Sequence, residues 1–247
     1  MEGKVSPEEG QRMVEEMHAE LMQRAAELLP ETDLPRIEAA YQLAKKAHAP
    51  QLRKSGIPYI THPISVARTA LVELGLGTNS VMAALLHDVV EDTEYTLEDI
   101  KQAFGEDVAF LVGVLTKKEA DEYKVSKQID NFKQMLDSIN YDIRALLIKL
   151  SDRLHNMRTL GSMRTDKQMK ITSETDYFYA PLANRLGLYE IKSELENLSL
   201  KFRSPQEYER IEKKIVSYMK QHEQDIEDFL NPIREALEEE GIEAKVY

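Results

Sequence analysis

Val81-Met82-Ala83-Ala84-Leu85-Leu86 is the stretch that most restricts what this chain can become. A helix through these residues is apolar on every side, so it has no face to offer to water and has to be enclosed by other elements. The rest of the chain is suited to supply them. Leu, Ala, Glu, Lys, Met and Arg dominate, glycine is sparse, and there is no convincing period-two alternation before the last few residues. The expected fold is therefore all-α. Helices are expected over residues 7–29, 34–48, 63–74, 79–90, 96–104, 106–115, 127–138, 141–160, 167–186, 188–201 and 205–240.

Several ends carry their own signals. Pro63 suits the first turn of a helix and biases His62 toward an extended conformation. Thr96 followed by Asp99, and Ser204-Pro205-Gln206-Glu207, have the form of capping boxes. Gly75, Gly77, Gly105 and Gly161 sit where helices should stop. Residues 117–127, KKEADEYKVSK, are highly charged between apolar helices and read as a solvated loop or a lid. The expected organisation is an N-terminal helical segment over 1–34, the main domain over 35–203, and a C-terminal helical extension over 204–247.

At 247 residues the chain can bury a substantial core without staples. It has no cysteine, so any metal must be held by His, carboxylate or carbonyl groups. No stretch approaches the ~20 apolar residues needed to span a bilayer. The expectation is a cytoplasmic protein with no membrane partner. A net charge of −12 argues against direct binding of nucleic acid, although a local basic strip, Arg144, Lys149, Arg153, Arg158, Arg164, Lys167 and Lys170, could steer a small polyphosphate.

The enclosed helix runs into HDVVEDT, which crowds His87, Asp88, Glu91 and Asp92 onto its end. Buried carboxylates are costly unless they meet a cation or are fully hydrogen-bonded, and a divalent metal removes that cost. A second cluster lies in KLSDRLHNMRTL, residues 149–160, where Asp152, Asn156 and Thr159 share a helix face away from the Leu stripe. A third is RKSGIPYITHP, residues 53–63. Gly56 and Pro58 forbid a continuous helix there, so Arg53 and Lys54 are displayed on a constrained loop ending at His62. Together the three segments offer His62, His87, Asp88 and Asp152. This mixed nitrogen and oxygen set suits a divalent ion such as Mn²⁺, Fe²⁺ or Zn²⁺.

These residues, with YAPLANRLGLYEIKSELE at 179–196, resemble the hydrolase domain of the RelA/SpoT family, within the HD phosphohydrolase superfamily. The likeness covers roughly residues 35–203 in the family's motif order. It implies the HD-domain helical fold of about ten or eleven helices and a Mn²⁺-dependent 3′-pyrophosphohydrolase acting on the guanine nucleotides ppGpp and pppGpp. By the same resemblance His62, His87, Asp88 and Asp152 bind Mn²⁺, while Glu91 and Asp92 orient or deprotonate the attacking water. Arg53 packs on the guanine with Lys54 and Ser55 beside it, and Asn156 and Thr159 contact the nucleotide. Asn184 stands where the family pattern has His, and positions 184 and 185 are expected to pack helices together. The final segment resembles the lead into a nucleotide synthetase domain, implying covalent linkage to one in a longer protein. Two alternatives stay open, another HD nucleotide phosphohydrolase acting on substrates such as NADPH, and a catalytically silent nucleotide-binding module.

Overall fold

A computed structural model describes residues 5–116 and 142–242. The chain separates into two compact units, Met1–Ser199 and Leu200–Tyr247. Among the described residues every regular element is helical, apart from one isolated antiparallel bridge between Leu52 and Pro58. The expected all-α class is what the chain adopts. The loop and helix expected over 117–138 lie outside the described residues, as does the terminal segment 243–247.

In the first unit, α1 (Pro7–Leu28), α2 (Leu34–Ala47), α3 (Thr61–Arg68) and α4 (Thr78–Leu86) come first. They are followed by the single-turn α5 (Val89–Asp92), α6 (Leu97–Phe104) and α7 (Glu106–Leu115). After the undescribed stretch come α8 (Ile143–Arg158), α9 (Thr165–Glu174), α10 (Ala180–Arg185) and α11 (Tyr189–Arg203). Helix α4 is the centre: Val81 through Leu86 are each 0% exposed. It is packed by α2, α3, α7 and α8, which turn Ala40, Ile64, Val108 and Ile148 inward. Each fully buried Leu of α4 is worth roughly 1.5–3 kcal/mol.

Helix starts and stops follow local chemistry, with several departures from expectation. Thr96 and Asp99 form the expected capping box. Ser204 does not cap α12 (Pro205–Gln221), because its backbone (ψ 68°) is off the extended cap conformation and its side chain makes no capping hydrogen bond. His62 is helical, not extended: amide bonds from Thr61 to the Pro58 carbonyl and from His62 to the Tyr59 carbonyl start α3 two residues before Pro63. The helix expected over 79–90 ends at Leu86, with His87 and Asp88 in a turn. The His87 ring nitrogen Nδ1, 2.8 Å from the Ala84 carbonyl, caps one of the acceptors left open at the end of α4. The stretches expected as single helices over 63–74 and 167–186 continue through π-turns at Thr69–Glu73 and Thr175–Tyr179.

The second unit holds the end of α11, α12 and α13 (Glu223–Glu239). The single helix expected over 205–240 is broken at His222, whose amide closes α12 on the Tyr218 carbonyl. Neither α12 nor α13 has a buried residue.

Candidate metal centre

Three elements converge at one end of α4. The first turn of α3 delivers His62, the turn after α4 delivers His87 and Asp88, and the middle of α8 delivers Asp152. One ligand atom from each of His62, His87 and Asp152 lies within 4.8 Å of the others. Both rings are buried, at 3% and 7% exposure. The His62 Nε2 atom is 3.2 Å from Asp152 Oδ1 and 3.6 Å from Asp88 Oδ2. Asp88 falls outside the three-residue set, and its Oδ2 also accepts a short hydrogen bond from the Tyr59 hydroxyl.

The donor set contains an unsatisfied buried atom of its own. His87 Nε2 sits 3.1 Å from Asp88 Oδ2, yet the angle makes no hydrogen bond, and this fully enclosed nitrogen has no partner. In the neutral ring, Nδ1–H donates to the Ala84 carbonyl and the lone pair falls on Nε2. A buried lone pair facing two carboxylates is what a divalent cation would satisfy, and the residues fit such an ion.

The electrostatics agree. Burial disfavours the charged form of His87, but Asp88 and then Asp152 outweigh it and push the ring up to about 9. Burial likewise raises Asp88 and Asp152. For Asp88 the His87 and His62 rings prevail and hold the carboxyl far below its ordinary value, and for Asp152 the hydrogen bond and charge of His62 lower it. Without an ion the site gathers protons around two carboxylates, and these are the protons a metal would displace.

Arg53 reaches the same centre from the loop between α2 and α3. That loop is closed by amide bonds from Arg53 to the Ile57 carbonyl and from Gly56 to the Arg53 carbonyl, each 2.8 Å, with Gly56 at φ 86°. The positive φ needs glycine. The Arg53 guanidinium lies 3.2 Å from Thr159 Oγ1, 3.4 Å from Asn156 Oδ1 and 3.1 Å from His155 Nδ1. Asn156 Nδ2 donates to Asp152 Oδ1 at 2.6 Å, so Arg53, Asn156 and Asp152 form one chain of contacts.

The remaining candidates lie around this chain. Glu91 and Asp92 are exposed on α5, one turn beyond His87-Asp88. Gln51 donates to the Asp92 carbonyl at 3.1 Å and tethers α5 to the loop. Lys54 is exposed and faces Lys167, whose charge lowers its pKa, while Ser55 is half-buried at the loop tip.

One sequence expectation does not hold. Asn184 and Arg185 are exposed, so they do not pack helices together. Much of the basic strip is ion-paired: Arg144 with Asp107 and Asp142, Arg153 with Glu174, Arg158 with Glu73 and Glu194, and Arg164 with Asp166.

Sequence reasoning missed Tyr59 and His155. His155 Nδ1 is 2.8 Å from His62 Nδ1, and the two rings lie 4.8 Å apart. Burial first, then His62 and Arg53, push the His155 ring down to about 3, so it is neutral. The signal was available, since His155 is three residues after Asp152 and shares its face of α8.

The HD domain family model matches residues 40–189. The chain belongs to the HD domain family. It is 44% identical over 220 residues to the bifunctional (p)ppGpp synthase/hydrolase SpoT of Escherichia coli, an alignment covering 88% of this chain and 31% of that protein. It is 47% identical over 208 residues to the guanosine-3′,5′-bis(diphosphate) 3′-pyrophosphohydrolase of Haemophilus influenzae, covering 83% and 30%. The chain thus spans about a third of the length of these relatives. A solved structure of a metazoan ortholog of SpoT that hydrolyses ppGpp matches with a TM-score of 0.53 at 29% identity, covering 71% of this chain and 97% of that one.

Proposed function

We propose that this chain is a Mn²⁺-dependent 3′-pyrophosphohydrolase of ppGpp and pppGpp, acting in the cytoplasm and joined to a synthetase domain in the longer protein. The observation that carries the reading is the convergence of His62, His87 and Asp152, with the unpartnered His87 nitrogen, beside an arginine set on Asn156 and Thr159. The names and activities of the similar proteins support the choice of substrate.

In this reading His62, His87, Asp88 and Asp152 hold the ion. Asp88 would hold it through a carboxylate oxygen, and the Tyr59 hydroxyl orients that carboxylate. A divalent ion held there supplies Lewis acidity toward water and offsets charge on the 3′-diphosphate. Arg53, with Lys54 and Ser55 beside it, grips the guanine nucleotide, and Asn156 and Thr159 set the guanidinium plane. Water attacks the phosphorus bonded to the 3′-oxygen. Glu91 or Asp92 takes its proton, the 3′-oxygen leaves and receives that proton, and pyrophosphate results with GDP from ppGpp or GTP from pppGpp.

The test is incubation of the metal-free protein with ppGpp, with and without Mn²⁺, and with NADPH as the competing substrate. Pyrophosphate and GDP should appear only with ppGpp and Mn²⁺, and a chelator should abolish them. Glu91→Gln should keep Mn²⁺ while losing about a hundredfold or more in turnover. Release of phosphate from NADPH in place of these products would overturn the substrate assignment.

A further inference from the structure

His155 occupies a position that the metal set and the nucleotide set do not explain separately. Its Nδ1 is approached by two groups at once, His62 Nδ1 at 2.8 Å and Arg53 Nη1 at 3.1 Å. A guanidinium only donates. The Arg53 contact therefore requires a lone pair on His155 Nδ1, and then the proton between the two rings must sit on His62 Nδ1. A neutral His62 protonated there has its own lone pair on Nε2, the atom that faces Asp152 Oδ1 at 3.2 Å and Asp88 Oδ2 at 3.6 Å. That is the tautomer able to ligate a metal through Nε2. One proton arrangement therefore serves the arginine, both imidazoles and the metal position, with Arg53 and His62 sharing the single lone pair of His155 Nδ1.

We propose that His155 is a positioning residue whose Nδ1, kept as an acceptor by Arg53, locks His62 in its metal-ligating tautomer and so couples nucleotide binding to metal binding. A nucleotide that settles Arg53 keeps His155 an acceptor and His62 ready for the ion. An ion on His62 Nε2 places the proton on Nδ1, keeps His155 an acceptor and holds Arg53 where the nucleotide needs it. The coupling is positive and must be the same size in both directions. The identity of the nucleotide rests on the proposed function, whereas the lock itself rests on the three side chains.

The test uses the full 247-residue chain stripped of metal. Mn²⁺ affinity is measured by electron paramagnetic resonance with and without GDP, and GDP affinity by calorimetry with and without Mn²⁺. In the unaltered protein GDP should tighten Mn²⁺ by about fivefold or more, and Mn²⁺ should tighten GDP by the same factor. His155→Leu, which fills the space without an acceptor, should weaken Mn²⁺ by about tenfold or more and bring the coupling factor to one. His155→Asn, which keeps an acceptor near the Nδ1 position, should retain the coupling. His155→Gln, whose acceptor lies one bond further out, should lose it.

The Asn and Gln pair decides the matter if the Leu variant fails to fold by circular dichroism. The proposal is overturned if the unaltered protein shows no coupling, if a folded His155→Leu couples as strongly as the unaltered protein, or if Gln retains the coupling and Asn does not. Absence of pyrophosphate release from ppGpp would sink the hydrolase reading alone, since the Mn²⁺ and GDP titrations are read without turnover.

Discussion

Gly10 shows how a single missing side chain supports a distant site. A Cβ at this position of α1 would come within 2.9 Å of Pro58 Cδ and 3.2 Å of Pro58 Cγ. Pro58 belongs to the loop that ends in His62, so α1 buttresses the loop through the close approach that only glycine permits. In an open helix the change Gly10→Ala would gain about 1 kcal/mol. Here the rigid proline ring has to shift, and the expected net effect is a loss of about 1–2 kcal/mol together with weaker Mn²⁺ binding. Thermal denaturation checks it, and a raised melting temperature would show that the contact is loose. At this same scale, the face shared by Asp152, Asn156 and Thr159 was legible as helical spacing. The Tyr59 hydroxyl on Asp88 and the His155 bridge were not, because each depends on which ring atom meets which partner across elements.

Among the elements, α4 and α8 were legible because their apolar residues leave no alternative to burial. The end of α4 was not. Helix propensity carries on through His87 to Val90, whereas in the fold the His87 ring takes up the Ala84 carbonyl and the chain turns, placing His87 Nε2 and Asp88 side by side. The start of α8 is fastened by charge. Asp142 caps the Arg144 amide, and the Arg144 guanidinium bonds both Asp142 and Asp107 at the start of α7. Hydrogen bonds from Arg144 hold both carboxyls below their ordinary values. A carboxyl depressed in the fold stabilises it above its unfolded pKa of about 4, and that contribution is lost as pH falls through the lower folded value. Arg144→Ala should therefore cost about 1 kcal/mol near neutral pH, with solvent screening included. The difference from the unaltered protein should shrink toward zero as pH is lowered below about 4, measured by urea denaturation. A difference that is constant over this range would mean the ion pairs contribute nothing.

Over the whole molecule, the buried residues among those described lie between Gly10 and Ser199, within the first compact unit. No residue of α12 or α13 is fully buried, and Ile215, Val216 and Phe229 are exposed apolar side chains on them. A chain ending at Arg203 should consequently unfold cooperatively, with a melting temperature within about 4 °C of the longer chain and unchanged Mn²⁺ affinity. A drop well beyond that would mean the last 44 residues stabilise the first unit.

The sequence by itself determined the helical class, the enclosure of Val81–Leu86 and the residue types gathered around the candidate metal, because periodicity and the cost of burying charge are local properties of the chain. Only the tertiary structure decided which side chains share atoms. It set His155 between Arg53 and His62, left His87 Nε2 without a partner, and spent much of the basic strip on ion pairs. The physical reason is that a hydrogen bond or ion pair turns on differences of a few tenths of an ångström between groups far apart in sequence, and helical spacing does not fix those.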